Sequence, residues 1–103
     1  MERRYMNSFY LVGRVADEAE KFESVNGVKV CRLRVSVEKG SKDPTDAYDL
    51  YEVALFRNLA EEDYPIGQCV GIAGKLQANN LEKDGTTYYS TRLVGNSVSF
   101  IGA

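Results

Sequence analysis

Two arginines form the clearest ligand-binding pattern in this chain. Arg32 and Arg34 alternate with apolar residues, so both point to one face if their segment is a β-strand. Guanidinium groups in a row on one face can hold successive phosphates of a polyanion. The other cations predicted to follow this track are Arg14, Lys75 and Arg92 on neighbouring strands, and Lys39 and Lys42 in a polar loop. Solvated surface charge, paired with acids such as Glu38 and Glu52, is the alternative.

Outward-facing aromatic rings are the second set of candidates, because a flat ring can stack on another flat group. Alternation places Phe56 opposite Val53 and Leu55, so Phe56 faces outward if those two residues are core. Burial in the core or in a subunit interface is the alternative for Phe56. The candidate stacking platforms are Phe56, Tyr48, Tyr88 and Tyr89. The last two are adjacent and point to opposite faces, so we expect one of them to be buried.

Catalytic chemistry has no candidate residues. The chain contains no histidine, which removes serine and cysteine triads of the usual type and the commonest metal ligand. Three consecutive acids, Glu61, Glu62 and Asp63, cannot all face one substrate, and we interpret them as the solvated start of a short helix. No glycine loop for phosphates and no metal-ligand spacing is present. We therefore expect no enzyme activity, no catalytic residue, no metal and no cofactor.

Length and composition predict one cytoplasmic domain. A chain of 103 residues can bury a single modest core. No apolar run approaches the roughly 20 residues that cross a bilayer, and none resembles a signal peptide, so we expect no membrane contact. Cys31 and Cys69 lie in apolar strand patterns, which favours buried reduced thiols over a disulfide or a metal site. The net charge of −2 argues weakly against nucleic acid, but local charge can override it.

Short alternating segments separated by turn residues predict a β-rich chain. Asn26-Gly27 predicts a two-residue type I′ hairpin turn, and Asp84-Gly85 marks the centre of a polar turn over residues 79–86. A single helical turn is expected from Asn58 to Asp63, with Asn58 as its N-cap. The predicted strands cover residues 8–16, with an extension at 20–24, and residues 28–38, 48–57, 69–78, 87–94 and 97–101.

Five or six strands, with the short helix between the third and fourth long ones, predict a five-stranded Greek-key barrel of the oligonucleotide-binding (OB) type. Glycines within the strands, Gly13, Gly71 and Gly74, predict the bends of such a barrel. The domain is expected to cover residues 8–103, after a flexible lead of residues 1–7. An immunoglobulin-like sandwich is the alternative all-β fold, although it would need about seven strands.

The chain resembles bacterial single-stranded DNA-binding proteins over residues 6–102. The matching segments are Met6-Asn7 with residues 9–13 (FYLVG), residues 30–37, residues 53–60 (VALFRNLA), residues 70–76 (VGIAGKL) and residues 88–94 (YYSTRLV). The resemblance implies an OB fold, homo-oligomers of two or four chains, and binding of single-stranded DNA without catalysis.

The chain departs from that family at its stacking positions. Tryptophans on the open face stack on bases in the family, but this chain has no tryptophan. The corresponding positions hold Ser41 or a neighbour, Leu50 and Leu81, and only Phe56 is in register. Leu50 can still pack on a base face. The acidic, hydrophobic tail that recruits replication proteins in the family is also expected to be missing, because the sequence stops at Ala103.

Two functions follow as hypotheses. The first is binding of single-stranded DNA without sequence preference, in replication, recombination or repair, by a homodimer or homotetramer. The alternative is a protein interaction module: the same barrel would contact a replication, conjugation or phage protein and would bind DNA weakly or not at all. The acidic balance and the absent tryptophans favour the alternative.

Overall fold

The computed structural model describes residues 5–102, so most of the predicted lead and Ala103 lie outside the described residues. Eight strands, one helix and a single 3-10 turn at Pro44–Asp46 make up the described chain. In chain order they are β1 (Phe9–Val15), β2 (Glu20–Glu23), β3 (Lys29–Glu38), β4 (Tyr48–Phe56), α1 (Asn58–Glu61), β5 (Cys69–Ala78), β6 (Leu81–Lys83), β7 (Thr86–Tyr88) and β8 (Thr91–Phe100).

The main sheet closes into a five-stranded barrel. Its strand order is β1-β5-β8-β4-β3-β2, and β1 also pairs with β3 to complete the circle. The closing contact is short and joins Arg14 to Ser36 and Val15 to Val35. Strands β4 and β8 pair in parallel, whereas every other pair is antiparallel. The predicted OB-type barrel is confirmed. The alternative, an immunoglobulin-like sandwich of two sheets, is excluded because one sheet closes on itself.

Alternation along the long strands produces most of the core. Leu33, Val35 and Val53 are completely buried, whereas the charged residues of β3 and β4 point outward. Val30 and Ala54 lie on the outer side of the same strands but are also buried. Cys31 is buried in the same cluster and Cys69 is partly buried, and both are free thiols as predicted. Burial in this apolar environment raises the pKa of the Cys31 thiol.

The turn between β2 and β3 differs from the predicted one. A type I′ turn at Asn26-Gly27 needs positive φ at both residues, but only Gly27 has one, at 78°. Gly27 donates its N–H to the Ser24 carbonyl at 2.9 Å, and Ser24 donates to the Val28 carbonyl at 2.8 Å. The loop therefore has three residues, 25–27, and ends on a left-handed glycine. The predicted turn type is wrong.

The segment after β5 forms a separate hairpin rather than a simple turn. Strands β6 and β7 pair only with each other and are joined at Asp84 and Gly85, whose φ angles are 53° and 77°. The backbone N–H of Asn79 donates to Ser90 at the base of this hairpin. Strand β8 starts at Thr91 and runs unbroken to Phe100. The predicted segments at 87–94 and 97–101 are therefore extended for most of their length, but the predicted break between them is wrong, and the first is divided between β7 and β8.

Helix α1 starts without the predicted cap. Arg57 occupies the N-cap position with a φ of 59° and makes no side-chain cap hydrogen bond, so the prediction for Asn58 is wrong. Below the helix, the Tyr64 hydroxyl donates to the Leu59 carbonyl at 2.6 Å. Its ring meets Phe100 edge-on, with centroids 5.9 Å apart. Burial raises the pKa of Tyr64 to about 12. The segment that follows α1 is thus packed against the end of β8.

Strand β5 bends at Gly74, where the pairing with β8 shifts register between Ala73 and Gly74. A Cβ atom at this position would collide with the carbonyl oxygen of Val94 and would lie 2.8 Å from the Phe9 ring. Two backbones and a ring therefore approach closely where only glycine fits. This agrees with the predicted bend.

Replacement of Gly74 by alanine is expected to destabilise the barrel by about 3 kcal/mol, because backbone atoms of β8 cannot move aside without breaking the sheet. Urea unfolding followed by circular dichroism measures the change. Gly102→Ala is the matched control, since no atom lies within 4 Å of a Cβ there. Equal unfolding midpoints for the two variants would contradict the close approach.

Candidate nucleic-acid interface

The outer side of β3 and β4 brings several predicted residues into one row, called here the β3–β4 face. Eight residue steps along β4, at about 3.3 Å each, make this row roughly 26 Å long. Alternation places Phe56 at one end and Tyr48 at the other, with Leu50 between them, as the sequence predicts. The paired residues along the row are Val30 and Phe56, Arg32 and Ala54, Arg34 and Glu52, Ser36 and Leu50, and Glu38 and Tyr48.

A groove of about 490 Å³ lies at the Phe56 end of this face. Phe22 of β2 and Phe56 of β4 both line it, and so do Arg32 and Arg92. We call it the Phe22–Phe56 groove. The guanidinium carbon of Arg32 lies 4.8 Å from the centre of the Phe22 ring, and that of Arg92 lies 5.2 Å from the centre of the Phe56 ring. Both distances are typical of cation–π contacts.

Carboxylates surround the two arginines of β3. Arg34 donates from Nη1 to Asp17 Oδ2 at 3.2 Å, and its other nitrogens lie 3.6 Å from Glu52 and 3.9 Å from Glu20. Arg32 lies 3.8 Å from Glu20 and 3.9 Å from Glu52. The hydrogen bond to Asp17, and then its charge, raise the pKa of Arg34 above its ordinary value. The positive charges of both arginines are thus opposed by nearby carboxylates.

This cluster changes the charge expected of the β3–β4 face. Two guanidinium groups face three carboxylates, so the cluster carries a net charge of −1 rather than +2. The sequence identifies Glu52 as an opposing charge but not Asp17 or Glu20. Glu20 lies directly opposite Arg32 in the pairing of β2 with β3. A phosphate that binds these arginines has to compete with carboxylates already in place.

Two more of the predicted cations are bound to the protein itself. Arg14 donates from Nη1 to the Gly67 carbonyl at 2.9 Å. Lys39 forms ion pairs with Asp46 and, at 3.3 Å, with Asp49. The hydrogen bond that Lys39 donates to Asp46 raises the pKa of Lys39 above its ordinary value. Neither side chain lines the Phe22–Phe56 groove.

Among residues 5–102, three of the predicted cations make neither an ion pair nor a side-chain hydrogen bond. Lys42 and Lys75 are exposed and make no ion pair with the described residues. Arg92 contacts the Phe56 ring and likewise has no carboxylate within 4.0 Å in this part of the chain. Arg92 is therefore the unopposed positive charge at the groove, whereas Lys42 and Lys75 do not line it.

The tyrosines lie outside the groove. Tyr88 and Tyr89 are 56% and 80% exposed, so the expectation that one of them is buried is wrong. Both belong to the protruding hairpin region, where Tyr88 pairs with Leu81 across β6 and β7. Tyr48 is exposed beside Arg14 in a second, smaller cleft. The predicted aromatic platforms thus divide between the groove, the cleft and the hairpin.

Phe22 and Asn79 are groove residues that the sequence reasoning missed. Phe22 lies in the predicted extension at 20–24. An aromatic residue in a strand expected to pair beside Arg32 could have been predicted as a stacking residue. Asn79 follows the end of β5 and gave no signal of its own. Within residues 5–102 no group of three or more histidine, cysteine or acidic side chains could hold a metal ion. The described helices include none long and apolar enough to span a membrane.

Comparison with known proteins gives consistent matches. The model of the "Single-strand binding protein family" matches residues 6–101. A "Single-stranded DNA-binding protein" of Clostridium tetani is 32% identical over 102 residues, which cover 93% of this chain and 70% of that protein. "Single-stranded DNA-binding protein 2" of Staphylococcus aureus is also 32% identical, with coverage of 93% and 72%.

A solved structure supports the fold independently. The structure described as "Plasmodium falciparum SSB complex with ssDNA" superposes with a TM-score of 0.72 and covers 99% of this chain and 100% of that chain. Its sequence identity is 18%, so the similarity establishes the OB barrel and nothing finer.

Proposed function

The chain belongs to the single-strand binding protein family, and we propose that it binds single-stranded DNA without sequence preference and without catalysis. The observation that carries this proposal is the β3–β4 face, which leads along one side of the barrel into a groove lined by two arginine–phenylalanine pairs. Relatives in Clostridium tetani and Staphylococcus aureus are named for the same ligand. We assign the activity to replication, recombination or repair in the cytoplasm, where single strands are exposed.

Binding would combine two kinds of contact. Bases stack on aromatic rings and phosphates follow cations, and both contacts tolerate any sequence. Phe56, Leu50 and Tyr48 supply the exposed or half-buried surfaces along the β3–β4 face, and Tyr88 supplies one on the hairpin. For phosphates we propose Arg92, Lys42 and Lys75, which have no acidic partner in the described chain. We propose that Arg14, Arg32, Arg34 and Lys39 contribute only when DNA displaces their present partners.

A protein interaction module is the second candidate function. The acidic surroundings of Arg32 and Arg34 favour it, because they cancel the positive charge that long nucleic-acid grooves need. Under this alternative the barrel contacts a replication or mobile-element protein, and DNA affinity is weak. The two candidates make opposite predictions for binding at low salt.

The protein is expected to bind labelled oligo-dT at low salt. Its affinity should fall steeply as the salt concentration is raised. Each phosphate that it neutralises on a single strand contributes a slope of about −0.7 in a plot of log affinity against log salt. Fluorescence polarisation at several salt concentrations measures both quantities, with duplex DNA as competitor. An absence of binding at 20–50 mM salt, or equal affinity for duplex, would disprove the proposed function. Recovery of one specific protein partner in its place would support the interaction module.

The variant Glu52→Gln is expected to bind single-stranded DNA about three to ten times more tightly at low salt. Neutral glutamine no longer competes with phosphate for Arg32 and Arg34, which lie 3.9 and 3.6 Å from the Glu52 carboxylate. The same titrations measure the effect. Glu62→Gln makes the same charge change on the connector after α1, away from this face, and is the matched control. Equal gains in the two variants would show that only total charge matters.

We also propose that the chain forms a homodimer or homotetramer through β1. The first half of this strand pairs with β5 on one side, but its pairing with β3 begins only at Arg14. Within the described residues the other edge of Phe9 to Val12 is therefore open, and an open edge invites a second strand. Tyr10 and Val12 are exposed on the outer side of β1. A second copy of the same strand would satisfy both the edge and the apolar side chains.

Val12→Asp is expected to shift the oligomer towards monomer at micromolar concentration, because a carboxylate would be buried in the contact. Val12 is 46% exposed in the single chain, so its folding should tolerate the change. Sedimentation velocity measures the distribution, and Val25→Asp in the fully exposed loop is the control. A monomeric wild-type protein, or an unchanged distribution for Val12→Asp, would contradict this interface.

A further inference from the structure

The Phe22–Phe56 groove contains two copies of the same arrangement. Phe22 reaches it from β2 and Phe56 from β4, on either side of β3. Each ring carries a guanidinium group, Arg32 at 4.8 Å and Arg92 at 5.2 Å. Phe22 is 40% exposed although it is a large apolar side chain. One exposed ring and one half-buried ring, each with a guanidinium group over it, share this groove, and the stability of the barrel alone does not explain that arrangement.

Both arginines keep their hydrogen-bonding capacity. Among the described residues neither Arg32 nor Arg92 makes a side-chain hydrogen bond, and the carboxylates nearest to Arg32 lie 3.8 and 3.9 Å away. A guanidinium group that lies on a ring presents a second planar face and in-plane N–H donors. Unstacked bases are held in this way, on aromatic rings and on guanidinium planes. The donors can at the same time reach a phosphate.

Size and polarity fit a base. The groove volume of about 490 Å³ falls within the range of roughly 300–1,000 Å³ that is usual for small-ligand sites. Ser24 and Asn79 line it with a hydroxyl and an amide, groups that can donate to or accept from the polar edge of a base. The Glu52 carboxylate also lines the groove and lies near Arg32. An apolar protein segment would leave the Asn79 amide and the Arg92 guanidinium without hydrogen-bond partners.

We propose that Phe22, together with the Arg32 guanidinium on its ring, is a further base-binding element of the Phe22–Phe56 groove, beside the stacking position Phe56 that the family resemblance already marks. This inference rests on the proposed function, because the base belongs to the bound single strand. It adds Phe22 on β2 to the interface, at a position that the sequence resemblance does not mark.

The test uses the full chain and labelled oligo-dT. Phe22→Leu is expected to lower affinity about tenfold, the effect of losing one base stack, and to leave the salt slope unchanged, because stacking involves no counterion. Phe22→Tyr should keep affinity within about twofold of wild type. Phe100→Leu is the matched control, because Phe100 is 51% exposed and contacts Tyr64 away from the groove. Thermal unfolding of each variant verifies folding, and Phe56→Leu is a second variant with the same expected loss.

Each outcome decides between distinct explanations. If the wild-type protein binds and Phe22→Leu binds equally well, the base-binding role of Phe22 is disproved and the proposed function stands. If Phe22→Leu loses affinity together with salt dependence, Phe22 only positions Arg32 for a phosphate, and stacking is disproved. If the wild-type protein does not bind at low salt, the proposed function fails and the base-binding role of Phe22 fails with it. Loss in both leucine variants, with an unchanged slope and a normal control, supports that role.

Discussion

The pairing of β1 with β3 is the contact on which the rest of this structure depends. It joins only two residue pairs, yet it converts a six-stranded sheet into a closed barrel around an apolar core. Closure requires sharp bends, and a Cβ atom at Gly13 would collide with the carbonyl of Ser36 on the facing strand. Because the barrel closes around the core, the inner side of β3 and β4 packs on the core. Their outer side is a continuous face that no second sheet covers in the described chain.

The arginines of the β3–β4 face can either bind an anionic ligand or pair with the carboxylates of the protein itself. Surface ion pairs contribute little to stability because water screens them and the side chains lose freedom. The carboxylates around Arg32 and Arg34 are therefore better understood by their effect on an incoming anion than by their effect on folding. They repel a phosphate that approaches Arg32 or Arg34, whereas an uncharged base that stacks on a ring is not repelled. A protein with this face would depend more on its rings than on its cations.

Periodicity predicted most of the barrel because a strand with one buried side has to alternate. Residues 69–78 form β5 as predicted, and the outward position of Phe56 follows from the burial of Val53 and Leu55. The exact turn after β2 was not predictable from Asn26-Gly27, since a two-residue and a three-residue loop both place a glycine with positive φ there. That one-residue difference decides which side chains of β2 share a face with Arg32.

By itself the sequence determined the class of fold, the family and the shared face of Arg32, Arg34 and Phe56, because these depend on alternation and on motifs that are local in the chain. Only the tertiary structure decided what those residues contact. A two-residue turn at Asn26-Gly27 would have placed Lys21 opposite Arg32, whereas the observed register places Glu20 there and Phe22 opposite Val30. Contacts between distant segments depend on loop length and strand register, so the neutralised arginines and the ring of Phe22 became visible only in the folded chain.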